Sequence, residues 1–483
     1  MSNQLTVFLH GASYLTVRLT RRDFIAGAFA AAAYSAIPGT SLARSARYRQ
    51  LAEMLDGELV LPGDPGYGRG RRIYNGRFNE FPAAIALCAS NSDVRRCVEF
   101  ARRNGVEVSV RSGGHDYAGH STCEGGLVID LAWMNRITLN EESGTAAVKM
   151  GANVGQLYDE LWRHRYTAAA GTCATVGMGG LALGGGIGPL VCKYGLTCDN
   201  IVSAKIVTAD GSILHVSANE HPDLFWAIRG GGGNFGVVTE IELRAFQIHR
   251  VLNGSVNYPE SQHRDVLKLY RDFLPSAPDE LTTGVEINTS RAEQAELSLS
   301  ICYTGNLDEG ARIVAPLMKL GSPDSSVLKA TSPPRAFISH VEPFGTPMMQ
   351  TGAFFPELSD EVIDRICAAI AAAPAPVEFG LDDLRGASMT GDGAFPIRSR
   401  GLSSWIGAHW KRQGNRDAAK AWVNDTLQAL LPFADGVYVN RLHEEGQARA
   451  VAAYGASYDR LARIKAEYDP ENFFHRNQNI IPD

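Results

Sequence analysis

The 483-residue sequence lacks most of the features that mark metal, nucleic-acid or membrane proteins. None of its eight cysteines (Cys88, Cys97, Cys123, Cys173, Cys192, Cys198, Cys302, Cys367) forms a CxxC pair. A zinc site or thioredoxin-like motif is therefore not expected, and no metal is assigned. A net charge of −6 and a pI near 6.1 offer no basic surface for nucleic acid. The small cluster Arg69-Gly70-Arg71-Arg72 reads as a solvated face. Beyond the N-terminal region no stretch approaches the ~20 apolar residues of a membrane helix, so stable membrane insertion is not expected. No internal repeat is present. The Lys-Ser/Thr of a P-loop and the strand–GxGxxG–helix order of a Rossmann site are both missing, so a dinucleotide here needs another fold.

What is present is ordinary in bulk: 45% hydrophobic and 20% charged residues, enough for a sizeable core spread over two or three domain-sized units. Near the start, Arg21-Arg22 precedes an apolar run from Ala26 to Ile37 and the small-residue site Ser41-Leu42-Ala43. This order predicts a twin-arginine-type signal peptide over residues 1–43 and export to the periplasm or medium. One or two disulfides are open to an exported chain, and nothing fixes an oligomeric state.

The periodicity predicts an α+β chain. Ser92 is the expected N-cap of a helix carrying Val94, Cys97, Val98 and Ala101 on one face and ending at Gly105. Val106, Val108 and Val110 alternate as a strand that runs into Arg111-Ser112-Gly113-Gly114-His115-Asp116. Strands follow at Leu127–Leu131, near Ile137 and at Ala146–Met150, then a helix over Gln156–His164. Val202–Thr208 and Ser212–Val216 flank Asp210-Gly211, a hairpin signal. From Val251 the texture changes to long alternating stretches (Thr283–Asn288, Ala295–Tyr303) separated by helical segments at Arg264–Phe273, Asp308–Leu320 and Ser359–Ala373. The reading is a second domain, an antiparallel sheet covered by helices on one face.

Three constellations carry the chemistry. Glycine is densest from Gly171 to Gly188, with Cys173 inside the run. Glycine at this density points to backbone that approaches a ligand closely or adopts positive φ. A second cluster, Gly230–Gly236, follows the short helix Asp223–Ile228. Consecutive N–H groups at Ser112, Gly113, Gly114 and His115 would form an anion-binding nest, to which Arg111 adds charge. Taken singly, His115 suits a tight turn and Cys173 a small buried hydrophobe as well as either suits a ligand.

Together, Arg111–Asp116 with Gly119-His120-Ser121, then Gly171-Thr172-Cys173, Lys193–Asn200, Asp223–Thr239 and Tyr468–Gln478, resemble the berberine-bridge-enzyme-like FAD-linked oxidases. That family has the vanillyl-alcohol-oxidase-type flavoprotein fold, and the resemblance runs from about residue 75 to the C-terminus. It implies an FAD-binding domain over 75–250, a substrate domain over 251–437 and a segment, 438–483, that returns to the first. It further implies FAD bound covalently through His115 and Cys173. Val110, Arg111, Ser112, Gly113 and Gly114 would lie on the pyrophosphate. Ser121, Val176, Gly177, Gly179, Gly180, Gly184, Gly236 and Val237 would line the cofactor, and Asn477 and Gln478 would close over it.

By the same resemblance Tyr438, in Tyr438-Val439-Asn440, is the expected catalytic residue, with a partner from Asp392–Trp410 such as Arg398 or His409. The family's plant members carry a glutamate base in this region, and the sequence offers no match for it. The expected reaction is flavin-dependent oxidation of a small hydroxyl-bearing substrate, a sugar or oligosaccharide first, with dioxygen as acceptor. A polycyclic metabolite as substrate, or a dehydrogenase using another acceptor, is the alternative.

Overall fold

The computed structural model describes residues 47–289, 295–338, 343–374, 376–411 and 413–483. The predicted signal segment, residues 1–43, lies outside the described residues. The chain divides into an N-terminal unit ending at Glu53, helical from residue 47 in its described part, and a unit from Met54 to Asp483. The architecture that follows is that of the second unit.

Its first sheet has the order β1-β2-β4-β3, formed by β1 (Glu58–Val60), β2 (Ala84–Leu87), β3 (Val108–Arg111) and β4 (Leu127–Asp130). The pairs β2/β4 and β3/β4 are parallel. Strands β2 and β3 flank β4 and run the same way, so the chain must cross over between them, and helix α1 (Asn91–Asn104) makes that crossover. The helix begins two residues before the expected position. Its N-cap is Ser90, whose hydroxyl accepts from the Asp93 N–H. Asp93 explains the earlier start: its buried carboxylate accepts the N–H groups of Asp56, Gly57 and Ala89, which ties the first turn to the preceding loop. Gly105 ends the helix at φ 59°, and Val106 donates back to Ala101, so Val106 belongs to the C-cap and the strand begins at Val108.

The second sheet is antiparallel, in the order β5-β6-β10-β8-β9. Its strands are β5 (Ile137–Asn140), β6 (Thr145–Lys149), β8 (Ile201–Val207), β9 (Ile213–Ser217) and β10 (Val237–Arg244). The Asp210-Gly211 turn closes the β8/β9 hairpin as expected, with Gly211 at φ 88°. Between β6 and β8 lie α2 (Val154–Trp162), the short strand β7 (Tyr166–Thr167), which pairs with β11 (Phe246–Gln247), and α3 (Met178–Gly184) within the glycine run. Helix α4 (Pro222–Ile228) precedes the second glycine cluster.

The third sheet joins β12 (Val251–Pro259), β13 (Leu281–Asn288), β14 (Glu296–Tyr303), β15 (Ser325–Thr331), β16 (Met348–Thr351), β17 (Phe354–Phe355), β18 (Val377–Leu384) and β19 (Gly401–His409). The order is β15-β12-β14-β13-β18-β19-β16, antiparallel throughout, with β17 also on β19. Strand alternation gives this sheet two unlike faces. Val285, Ile287, Leu297, Leu299, Phe379, Leu381 and Ile406 point to one side and pack on α5 (His263–Phe273), α6 (Asp360–Ala371) and α7 (Arg416–Leu430). The residues between them, Glu286, Ser298, Ser300, Glu378, Asp382 and Trp405, occupy the other side. An apolar face buried under helices leaves a polar face free to floor a cavity. Helix α8 (Tyr458–Tyr468) precedes the C-terminal segment.

Candidate active site

The two glycine-rich loops meet backbone to backbone. A Cβ on Gly113 would stand 2.2 Å from the Gly177 nitrogen, and one on Gly177 would stand 2.1 Å from the Gly113 nitrogen. No side chain fits at either position. Ser112 fastens the contact: its hydroxyl donates to the Met150 carbonyl and accepts from the Gly179 N–H. Gly114, at φ 70°, then turns the chain so that His115 follows into the space between the loops.

That space is a cavity of about 320 Å³. It gathers residues from distant parts of the sequence. Val110, Ser112, Gly113, Gly114, His115 and Ser121 come from the first loop, and Cys173, Val176, Gly177, Gly179 and Gly180 from the second. Gly236 and Val237 border it at the start of β10, Tyr438 in the return segment, and Asn477 and Gln478 near the C-terminus. Two expected members fall outside. Arg111 donates through Nε and Nη2 to Asp130 Oδ2 at 2.9 and 2.7 Å, with both side chains buried. Its Nε and Nη2 are taken by the register partner in β4. Gly184 faces Asn440, whose Oδ1 would lie 2.2 Å from an added Cβ.

Two observations on this cavity fit a large planar, hydrogen-bonding cofactor. Gly180 and Gly233 border it, and a Cβ added at either would have nothing within 4 Å, so side chains there would intrude on open space. Asn477 donates to the Phe474 carbonyl through Nδ2, while its buried Oδ1 has no partner and is left to accept from a ligand. His115 stacks on Tyr74 with ring centroids 3.9 Å apart and planes at 18°. Burial pulls the pKa of its imidazole down to about 4, so near neutrality the ring is uncharged and keeps a nitrogen lone pair. Cys173 is half-buried with its Sγ 3.5 Å from the Thr175 hydroxyl. All eight cysteines are free thiols.

A second cavity, of about 480 Å³, lies over the polar face of the third sheet. The two cavities share His115, Tyr117, Thr172, Cys173, Val176 and Arg441 among their walls. Its floor is hollowed by Gly284 and Gly407, and Gly380 lies on the same face of the sheet. A Cβ on Gly380 would lie 2.0 Å from the Trp405 indole, which therefore lies flat over that glycine. Asp382, Glu286 and Glu378 supply carboxylates, and Arg441 Nη2 donates to Asp382 Oδ2 at 3.0 Å. Burial raises the pKa of Asp382, the Arg441 guanidinium opposes that rise, and Glu286 adds to it.

Tyr438 sits differently from its expected part. Its buried hydroxyl oxygen accepts from the Gly186 N–H at 2.9 Å and from Asn440 Nδ2 at 2.8 Å. Burial pushes its pKa up to about 12, against the pull of those donors and of Arg441, so the phenol holds its proton at neutral pH. It borders the glycine-lined cavity, not the sheet-floored one. Of the two suggested partners, Arg398 is taken up by a two-pronged ion pair with Asp199, at 2.7 and 2.9 Å, whereas His409 borders the second cavity. Sequence reasoning missed Asp382 and Arg441. It also missed Asn234, whose amide joins the Gly231 carbonyl to Tyr454, the Gln478 carbonyl and the Ile480 N–H.

Comparison with known proteins identifies the family and the fold. Residues 82–217 match the FAD binding domain family, and residues 437–481 the berberine and berberine-like family. The chain is 32% identical over 454 residues to (R)-6-hydroxynicotine oxidase of Paenarthrobacter nicotinovorans, covering 89% of this chain and 97% of that one. It is 29% identical over 460 residues to chitooligosaccharide oxidase of Gibberella zeae, covering 85% and 89%. Among solved structures, 6-hydroxy-D-nicotine oxidase from Arthrobacter nicotinovorans superposes with a TM-score of 0.82 at 29% identity, covering 89% of this chain and 98% of that one. Among the described residues no helix is long and apolar enough to cross a membrane. The chain belongs to the berberine-bridge-enzyme-like FAD-linked oxidoreductases and has their vanillyl-alcohol-oxidase-type α+β fold.

Proposed function

We propose that this FAD-linked oxidoreductase is an exported oxidase of a hydroxyl-bearing small molecule, a sugar or oligosaccharide first, with dioxygen as electron acceptor. The observation that carries the reading is the junction of the two cavities, where His115 and Cys173 adjoin Arg441 and, beyond it, Asp382. When bound, FAD supplies the acceptor for a hydrogen and two electrons from the substrate's C–H bond. In this reading the glycine-lined cavity between 75 and 250 holds it. Backbone at Val110 and at Ser112, Gly113 and Gly114 would hold its pyrophosphate, and Asn477 Oδ1 would accept a hydrogen bond from it. The neutral imidazole of His115 and the thiol of Cys173 are its two covalent anchors. The sheet over 251–437 receives the substrate, and 438–483 returns to close the cofactor side.

Oxidation of an alcohol also requires a base for the hydroxyl proton. Tyr438, protonated and held by two donors, serves here to fix Gly186 and Asn440 beside the cofactor. Asp382 takes the proton. It lines the substrate side, and the Arg441 guanidinium bound to it favours its proton-accepting form against the burial that raises its pKa. Carboxylates on the cavity floor, with a flat indole between them, suit a polyhydroxylated ring better than a polycyclic apolar one. The chitooligosaccharide oxidase among the relatives supports that preference. The hydroxynicotine oxidase keeps a nitrogen-bearing substrate as the second reading.

The first experiment is acid precipitation of the purified protein. Yellow pellet, with flavin mass on peptides containing His115 and Cys173, is the expected result. Colour in the supernatant refutes the covalent anchors. Peroxide release from cellobiose, chitobiose or 6-hydroxynicotine then assigns the substrate class, and reduction without oxygen uptake would identify a dehydrogenase.

A further inference from the structure

Three arginines of the second unit, Arg385, Arg398 and Arg441, hold their guanidinium groups in two different ways. Arg385 gives its nitrogens to Asp383 and to the carbonyls of Ala277, Pro278 and Leu281. Arg398 bridges Asp199, Ser388 and Phe395 in the same manner. Both are cross-links whose donors the fold consumes. Arg441 is unlike them. It makes one ion pair, to Asp382, and its buried Nε has no hydrogen-bond partner. Its guanidinium lies over the Trp405 ring, 4.8 Å from the centroid, and Trp405 in turn lies on Gly380. A flat cation held between an indole face and a carboxylate has little rotamer freedom left. A cross-link of this kind does little for the fold, yet its place at the border of both cavities is closely fixed.

The charges around Asp382 show what that place is for. On its own strand and face stands Glu378, four residues away, and on the neighbouring strand Glu286 sits opposite Gly380. From β19 the facing residues are Ser403 and Trp405, both uncharged. The adjacent Asp383 is bound to Arg385, and Thr283 and Tyr270 lie with it on the helix-covered side. Tyr117, whose pKa is raised by burial, contributes a neutral phenol from the first loop. Asp382 thus stands among carboxylates, with Arg441 as its opposing cation.

Resting on the reading of Asp382 as the base, we propose that Arg441 is its positioning residue: it binds Oδ2 and leaves Oδ1 to receive the substrate hydroxyl proton on the sheet-floored side of the junction. The balance of the step is simple. The O–H proton moves to Asp382, the C–H hydrogen leaves with two electrons to the flavin, and a C=O bond forms. Without the guanidinium, Asp382 would lose its ion-pair partner and would face the like charge of Glu286 unopposed.

The test uses the holoprotein and the variants Arg441→Lys, Arg441→Met, Asp382→Asn and Arg441→Met/Asp382→Asn. Infrared pH titration, with Asp382→Asn as the blank, reports the protonation of this carboxyl without any substrate. Expected is a shift of about one pH unit or more upward in Arg441→Met, largely reversed in Arg441→Lys. An unshifted titration overturns the proposal. Anaerobic flavin reduction by cellobiose provides the second readout. At pH 7 Arg441→Met should lose about tenfold or more, regained as pH rises, and should add nothing to the loss in Asp382→Asn. Equal losses from Arg441→Met in both backgrounds would overturn it. If Asp382→Asn reduces as fast as the parent, or cellobiose fails altogether, the base or the sugar reading falls, and the infrared shift still decides whether Arg441 governs Asp382.

Discussion

Lys465 offers the sharpest test of how the C-terminal segment is held against the cofactor cavity. Its side chain is wholly buried, and Nζ donates to Asp469 Oδ2 and to the Asn234 carbonyl, each at 2.6 Å, and to the Phe474 carbonyl at 3.0 Å. The Asp469 carboxylate also accepts the N–H groups of Phe473 and Phe474. One ammonium thus joins α8, the second glycine cluster and the strand of chain leading to Asn477. Replacing it in Lys465→Met keeps the aliphatic packing but strands a buried carboxylate. Breaking a buried pair from one side costs about 3–5 kcal/mol. The double change Lys465→Met/Asp469→Asn removes the charge as well and should recover about half of that loss, because the amide still accepts one of the two backbone N–H bonds. The assay is urea unfolding followed by tryptophan fluorescence, paired with limited proteolysis of the C-terminal segment. A Lys465→Met protein within about 1 kcal/mol of the parent would refute the reasoning, since surface ion pairs alone reach that range.

Gly177→Ala should destroy the apposition of the two glycine loops and yield protein without flavin, because an added Cβ would meet the Gly113 nitrogen at 2.1 Å. Gly180→Ala, which meets no protein atom within 4 Å, should fold normally yet hold less flavin, as read from the visible absorbance per chain. His443, with its pKa pulled down to about 4 by burial, binds a proton in the unfolded chain below about 6.5 but not in the folded one until about 4. Stability should therefore fall as pH drops through that window, by roughly 2–3 kcal/mol from this group, and His443→Gln should flatten the loss in urea titrations at pH 7 and pH 4. The carboxylates Glu286, Glu378 and Asp382 on the cavity floor should reject anions, so glucuronate should be oxidised at least about tenfold less efficiently than glucose, with the gap narrowing in Glu286→Gln.

The parts of the site that could be read in the sequence are those whose chemistry is local. Glycine density at 171–188 and 230–236 shows where backbone must come close, whatever partner it meets, and the hairpin at Asp210-Gly211 follows from its own turn residues. Arg111 misleads because its function is set across strands. It lies beside the nest in sequence, but the parallel register puts Asp130 next to it, and a buried arginine pairs with the carboxylate it meets first. Gly184 misleads for the same reason, since Asn440 arrives from far along the chain to fill the space before it.

The substrate side is the least legible, and the motif around Tyr438 shows why. Alternation along Val377–Leu384 tells which residues share a face, but not what that face overlooks. Asp382 and Arg441 are 59 residues apart and meet only when the return segment is laid across the third sheet. Tyr438, Asn440 and Arg441 all border the glycine-lined cavity, and of these three Arg441 alone also reaches the sheet-floored one. A tyrosine draws attention as a base because its chemistry is familiar, yet burial keeps this one protonated and its oxygen already accepts two hydrogen bonds. In the proposed reading, the base is the side chain that ends beside an opposing charge. That is settled by the packing of two distant segments, and no single stretch of sequence contains it.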